Sequence, residues 1–137
     1  MEDELTVALV SVKRGLQAGS TGMDPGGVPI LHHLATVGPD RSGHIAEVLH
    51  LDASTVSRHA RGLVEDGLVS AERDPSDGRA TVLALTDAGR QALGDRLRRH
   101  RDVLRAATAD LTEHERAELV RLLHKLASAL ADQRENA

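Results

Sequence analysis

The side chains in this sequence best suited to chemistry are short hydroxyls and arginines crowded into one stretch. Ser54, Thr55, Ser57, Arg58 and Arg61 all fall within LDASTVSRHARGLVEDG. If that stretch is helical, steps of 100° from Val56 bring Ser54, Arg58, Arg61 and Glu65 within about 40° of the opposite pole, with Thr55 and Ser57 flanking them. Guanidinium groups so placed can bind guanine O6 and N7 in pairs, each worth roughly 1–3 kcal/mol of discrimination. Hydroxyls near the start of a helix can bond phosphates or base edges, and the helix N-terminus itself favours an anion. An ordinary solvated face leaves unexplained why hydroxyls and arginines gather at one end and acids at Glu65-Asp66.

A second basic point follows. Arg73-Asp74-Pro75-Ser76-Asp77-Gly78-Arg79 is dense in turn formers and lies between two β-compatible runs, Leu68 to Glu72 and Ala80 to Leu85. That is a hairpin with a long tip. Asp77, two residues before Arg79, is placed to fix the direction of its guanidinium, as a narrow minor groove requires.

Other chemistries find less support. The chain of 137 residues has no Cys, so a disulfide framework, a thiol sensor and a cysteine nucleophile are excluded. It has no Phe, Tyr or Trp, which removes base stacking on aromatic rings. No G-x-S-x-G, H-E-x-x-H or glycine-rich phosphate loop is present, so no enzyme is expected. Zinc is weighed as an alternative, because His100, His114 and His124 are of the right type, but none forms a short ligand motif. No bound metal and no cofactor are expected.

Net charge is −4, which by itself gives no support to a nucleic-acid partner. Between Arg90 and Arg105, however, Arg90, Arg96, Arg98, Arg99, Arg101 and Arg105 outnumber Asp95 and Asp102 for a local +4. Such a run is either a solvated helix face or a surface that attracts a phosphate backbone. No apolar run approaches the roughly 20 residues that cross a bilayer. The opening MEDELTVALVSVKRG is acidic before it is apolar, unlike a signal peptide, so no membrane partner and a cytoplasmic location are expected.

The elements that would position these residues can be read from periodicity. Leu5, Leu9, Val12 and Leu16 form one helix face. GSTGMDPGG, residues 19–27, breaks it, and Val28 to Val37 reads as a short buried helix ending at Gly38-Pro39-Asp40. A two-turn helix carries Ile45, Ala46, Val48 and Leu49, and Ile45, Leu49, Leu51 and Val56 are expected to share a core. Asp52 is the expected N-cap of the next helix, striped by Val56, Ala60, Leu63 and Val64 and stopped by Gly67. Thr86 would cap a long helix with Leu93, Leu97 and Leu104 on its buried side and arginines elsewhere. Thr112-x-x-Glu115 opens the last helix, striped by Leu119, Leu122, Leu123, Leu126 and Leu130. Two leucine-rich terminal helices around so small a middle call for apolar surface from a second copy.

Helix, short helix, turn, helix, then two strands with a basic tip is the layout of a winged helix-turn-helix. The run LDASTVSRHARGLVEDGLVSAERDPSDGRATVLALTDAGRQAL resembles the MarR family of bacterial and archaeal transcriptional regulators. The motifs L-D-x-S-T-V-S-R, D-P-x-D-G-R and L-T-x-x-G-R carry the resemblance. It implies a mainly α fold with a small β-hairpin wing (α+β), in one domain over 1–137. The DNA-binding lobe would span about 28–85, and helices at about 3–18 and 87–132 would form the dimerisation region.

It further implies a homodimeric, sequence-specific regulator of double-stranded DNA, expected to be a repressor of a pseudo-palindromic operator. Ser54, Thr55, Ser57, Arg58 and Arg61 would face the major groove, while Ser76, Asp77 and Arg79 would form the minor-groove wing tip. Arg41 and Ser42 would lie near phosphates, and Leu5, Leu9, Val12, Leu119, Leu122, Leu123, Leu126 and Leu130 at the dimer interface. Many relatives resemble ligand-released repressors, which makes His32 and His33 candidate contacts for a small-molecule effector. The chain departs from the family at His59, read as half-buried support where an apolar residue is usual. It departs again at Arg61-Gly62, where the glycine costs about 1 kcal/mol against alanine and would mark a close approach.

Overall fold

The computed structural model describes residues 1–18 and 24–136. They form two compact units, Met1–His100 and Arg101–Ala137. The first contains α1 (Glu2–Gln17), a 3-10 turn (Pro25–Gly27), α2 (Val28–Val37), β1 (Asp40–Arg41), α3 (Ser42–Leu49), α4 (Ala53–Glu65), β2 (Val69–Arg73) and β3 (Thr81–Leu85). Helix α5 (Asp87–Ala107) begins in the first unit and ends in the second, which is completed by α6 (Glu113–Glu135).

Local chemistry sets most of these boundaries. Asp24 accepts from the Gly26 amide at 3.0 Å, and Pro25 opens the 3-10 turn that leads into α2. Helix α4 ends at Gly67, whose φ of +73° suits a residue without Cβ. The Gly67 amide reaches the Val64 carbonyl at 3.0 Å and the Leu68 amide reaches Leu63 at 2.9 Å, the paired bonds of a Schellman cap. His50 takes the same left-handed conformation, φ +55°, at the end of α3.

Thr86 does double duty at the start of α5. Its hydroxyl accepts from the Gly89 amide at 3.0 Å and donates to the Gly67 carbonyl at 2.7 Å. Thr112 and Glu115 form the reciprocal capping box expected for α6. Asp52 occupies the N-cap position of α4 but its side chain makes no capping bond, contrary to the sequence expectation.

The sheet is antiparallel with order β1-β3-β2. Val69 pairs with Leu85 and Arg73 with Thr81, which makes the expected hairpin, and Asp40 and Arg41 add a third strand by pairing with Leu83 and Val82. A two-residue strand between Gly38-Pro39 and a helix has no alternation to betray it.

One core unites these pieces. Ile30, Leu31 and Leu34 of α2 pack with Ile45 and Ala46 of α3, with Val56, Ala60 and Leu63 of α4, and with Val69, Leu83 and Leu93. Small Ala46 serves the close approach of α3 and α4. Four apolar positions assigned to buried faces are instead exposed: Leu51, Val64, Leu97 and Leu104. On α5 the buried positions include Leu93 and Arg96, so an arginine assigned to solvent lies on the inner side, three residues on from the leucine.

Helices α1 and α6 bury none of their described residues. Leu5, Leu9, Val12, Leu119, Leu122, Leu123 and Leu130 are exposed, and Leu126 is partly covered. Among the described residues no helix is long and apolar enough to cross a membrane.

Candidate nucleic-acid interface

The core contacts of Val56, Ala60 and Leu63 dictate which side of α4 faces outward. Ser54, Ser57, Arg58 and Arg61 are exposed on that side, with Thr55 half-buried beside them. No carboxylate pairs with Arg58 or Arg61 among the described residues. Since Asp52 gives no side-chain cap, the first-turn amides of α4 remain for solvent or an anion.

His59 is half-buried, and its Nδ1 lies 2.5 Å from Asp24 Oδ2. Its ring rests on Gly26 so closely that a Cβ there would come within 2.2 Å of it. Asp24 is held below the usual carboxylate range by the Gly26 amide first; desolvation opposes this, and His59 and then Arg58 add to the lowering. His59 thus ties α4 to the 3-10 turn. Gly62 marks no close approach: a Cβ there would meet nothing within 4 Å among the described residues.

The wing is organised by a residue that the sequence reading passed over. Asp74 Oδ1 accepts from the Ser76 amide at 2.9 Å and from its hydroxyl at 2.8 Å, while Oδ2 pairs with Arg41 Nη2 at 2.5 Å. These bonds, the Ser76 amide foremost, hold the Asp74 carboxyl below its ordinary range. Arg41, expected only near phosphates, is therefore tied to the wing from β1. Asp77 also differs from expectation. Its Oδ1 accepts from the backbone amide of Arg79 at 3.1 Å, so it shapes the turn and does not aim the guanidinium. Arg79 is exposed at the tip, and no carboxylate pairs with it among the described residues. Ser42 lines a cleft of about 270 Å³ between α3, α4 and the sheet, together with Ser57 and Arg61.

The histidines assigned to an effector lie elsewhere. His32 is exposed, and His33 is buried with its Nε2 on Asp40 Oδ2 at 2.8 Å. The apolar cleft in this unit, about 410 Å³, is lined by α1, the 3-10 turn, α2 and α5 and includes neither. Its polar members include Arg96, 6% exposed, and His100, whose buried Nε and Nε2 atoms have no hydrogen-bond partner among the described residues. The spacing Leu93 to Arg96 was the signal available for the arginine. None of His100, His114 and His124 belongs to the cluster of three possible metal ligands found among the described residues, which is His33, Asp40 and His44. Glu115 beside His114 serves the capping box.

Two crossing helices, a three-stranded antiparallel sheet and a basic hairpin tip define the winged helix-turn-helix class. A model of the MarR family matches residues 21–80. The HTH-type transcriptional regulator YxaD of Bacillus subtilis is 41% identical over 64 residues, 47% of this chain and 45% of that protein. The chain thus spans about half the length of the curated relatives it matches. The crystal structure of MarR superposes with a TM-score of 0.79 at 24% identity, covering 100% of this chain and 95% of that one, a likeness of fold. The PcaV transcriptional regulator of Streptomyces coelicolor, solved with its natural ligand, gives 0.70 at 27% identity over 92% and 91%. The similarity to the MarR family of transcriptional regulators lies in the winged helix-turn-helix lobe, where the family model matches.

Proposed function

We propose that the protein is a homodimeric, sequence-specific binder of double-stranded DNA that represses transcription from a pseudo-palindromic operator in the cytoplasm. The observation that carries this reading is the outward face of α4, where Ser54, Ser57, Arg58 and Arg61 stand exposed and the arginines carry no carboxylate partner among the described residues. This face enters the major groove, and Arg79 on the wing enters the flanking minor groove, where narrow A·T segments concentrate negative potential. The dimer reading is supported by the leucine faces of α1 and α6, since helices of that character gain little stability until their apolar side is covered. The role is binding, with no catalytic step.

Release by a small-molecule effector is part of this proposal. A guanidinium 6% exposed in an apolar cleft, its Nε without a partner among the described residues, is expensive unless an anion meets it. A small anionic or phenolic compound in the cleft would pair with Arg96 and bias the population of dimer geometries. The liganded structure of PcaV shows that one relative of this fold takes a ligand.

Fluorescence anisotropy with a labelled duplex from upstream of the protein's own gene tests the DNA reading against a scrambled duplex at two salt concentrations. Preference for the native duplex by about 10³ or more is expected. Arg79→Ala should lower the salt slope by about one, whereas Arg58→Ala should cost roughly 1–3 kcal/mol of discrimination at particular bases. Equal weak binding to both duplexes, unchanged in Arg79→Ala, refutes the reading for this operator.

A further inference from the structure

We propose that His33, Asp40 and His44 form a binding site for one divalent ion of the zinc, cobalt or nickel type. The three residues come from three successive elements, α2, β1 and α3. His33 Nε2 and His44 Nδ1 both point at the same oxygen, Asp40 Oδ2, at 2.8 and 2.6 Å. All three donor atoms lie within 4.8 Å of one another. The site uses no residue of the outward α4 face and stands whether or not that face reads DNA.

The arrangement has the parts a metal site needs. Asp40 is pinned from behind, because its Oδ1 accepts from the Arg41 amide at 2.8 Å and its backbone is paired to Leu83 of β3. His33 is buried in the lobe, which fixes its ring, while the His44 side chain is 53% exposed and leaves an approach from solvent. Around a tetrahedral ion with bonds of about 2.0–2.1 Å, neighbouring donors stand about 3.3 Å apart. The two short contacts therefore have to widen by roughly half an ångström, a movement that the exposed His44 ring can supply. The ion then occupies the place of the two imidazole protons now directed at Oδ2, with water completing its coordination on the His44 side.

Donor chemistry narrows the ion. Two imidazoles and one carboxylate suit zinc, cobalt and nickel. Calcium and magnesium prefer all-oxygen shells, and soft Cu(I) prefers sulfur, of which the cluster has none. Bound metal would bridge α2 to α3 and stabilise the helix pair that carries α4.

The test uses the full, tag-free chain, dialysed and titrated with Co²⁺ and Zn²⁺. One Co²⁺ per chain, seen by its visible d–d absorption and displaced by Zn²⁺, is expected. The band should disappear in His44→Ala and Asp40→Asn, and persist when His100, His114 and His124 are all changed to Ala. Zn²⁺ should raise the melting temperature of the wild type and leave that of His44→Ala unmoved. His44 is exposed, so this variant keeps its core, and its metal-free circular dichroism verifies that. No Co²⁺ band and no Zn²⁺-dependent melting shift in the wild type would overturn the proposal. So would a band of equal strength in His44→Ala, which would place the ion elsewhere.

Discussion

Replacing Gly89 by Ala tests how the wing is joined to α5. A Cβ at Gly89 would lie 2.0 Å from the Leu68 carbonyl oxygen and 2.8 Å from Leu85 Cδ1. The oxygen belongs to the backbone and already accepts from the Thr86 amide at 3.1 Å, so it has to retreat by roughly 1 Å to restore ordinary contact. That movement loses a hydrogen bond worth about 0.5–1.5 kcal/mol and adds overpacking of about 1–3 kcal/mol. Alanine's better helix propensity returns at most about 1 kcal/mol. The net expectation is a loss of roughly 0.5–4.5 kcal/mol, which at roughly 3–5 °C per kcal/mol for a chain of this size lowers the melting temperature by roughly 2–20 °C. Far-UV circular dichroism at fixed protein concentration is the assay, because the chain has no Trp, Tyr or Phe to report on folding. A melting temperature equal to or above that of the wild type would refute this account of the joint.

The opposite sign is expected at Gly62, where a Cβ meets nothing: Gly62→Ala should stabilise by up to about 1 kcal/mol, and a lower melting temperature would contradict an open site. Leu123→Asp should convert dimer to monomer in sedimentation monitored by interference optics, and lose the two-half-site operator with it. A Leu123→Asp protein that stays dimeric would move the interface off α6. Asp24 has a lowered pKa in the folded chain, so its contribution to stability is present above the ordinary aspartate value of about 3.9 and lost as pH falls through the folded value. Melting curves of wild type and Asp24→Asn should therefore differ at neutral pH and converge in acid. A gap that stays constant down to acid pH would show that the carboxylate's charge does not act here.

What the sequence disclosed follows the range of the interactions involved. Gly67, Thr86 and the Thr112–Glu115 box act within a few residues of themselves, and each was legible from spacing. The outward side of α4 followed from Val56 and Ala60, because a helix fixes angles between near neighbours. Contacts between distant residues left no such trace. Asp74 meets Arg41 across 33 positions of sequence, and Asp40 gathers two histidines only because β1 joins the sheet. Arg96 was misassigned because arginine is so seldom buried that its place next to Leu93 on the inner side carried too little weight. Gly62 erred the other way, a residue type mistaken for a contact. Asp52 holds the expected position without the expected bond.

The ion pair between Arg41 and Asp74 bears on how DNA affinity would be counted. An arginine that meets a phosphate from solvent adds its full attraction, whereas Arg41 already holds an anion and would exchange one for another. The phosphate sheds its condensed counterion in either case, so the salt dependence registers the contact in full. The free energy registers only the difference between two partners, less whatever Asp74 loses on being abandoned with its Ser76 bonds intact. Phosphates inferred from a salt slope would then outnumber those that tighten the complex, and the surplus would be the signature of a counterion the protein carries within its own chain.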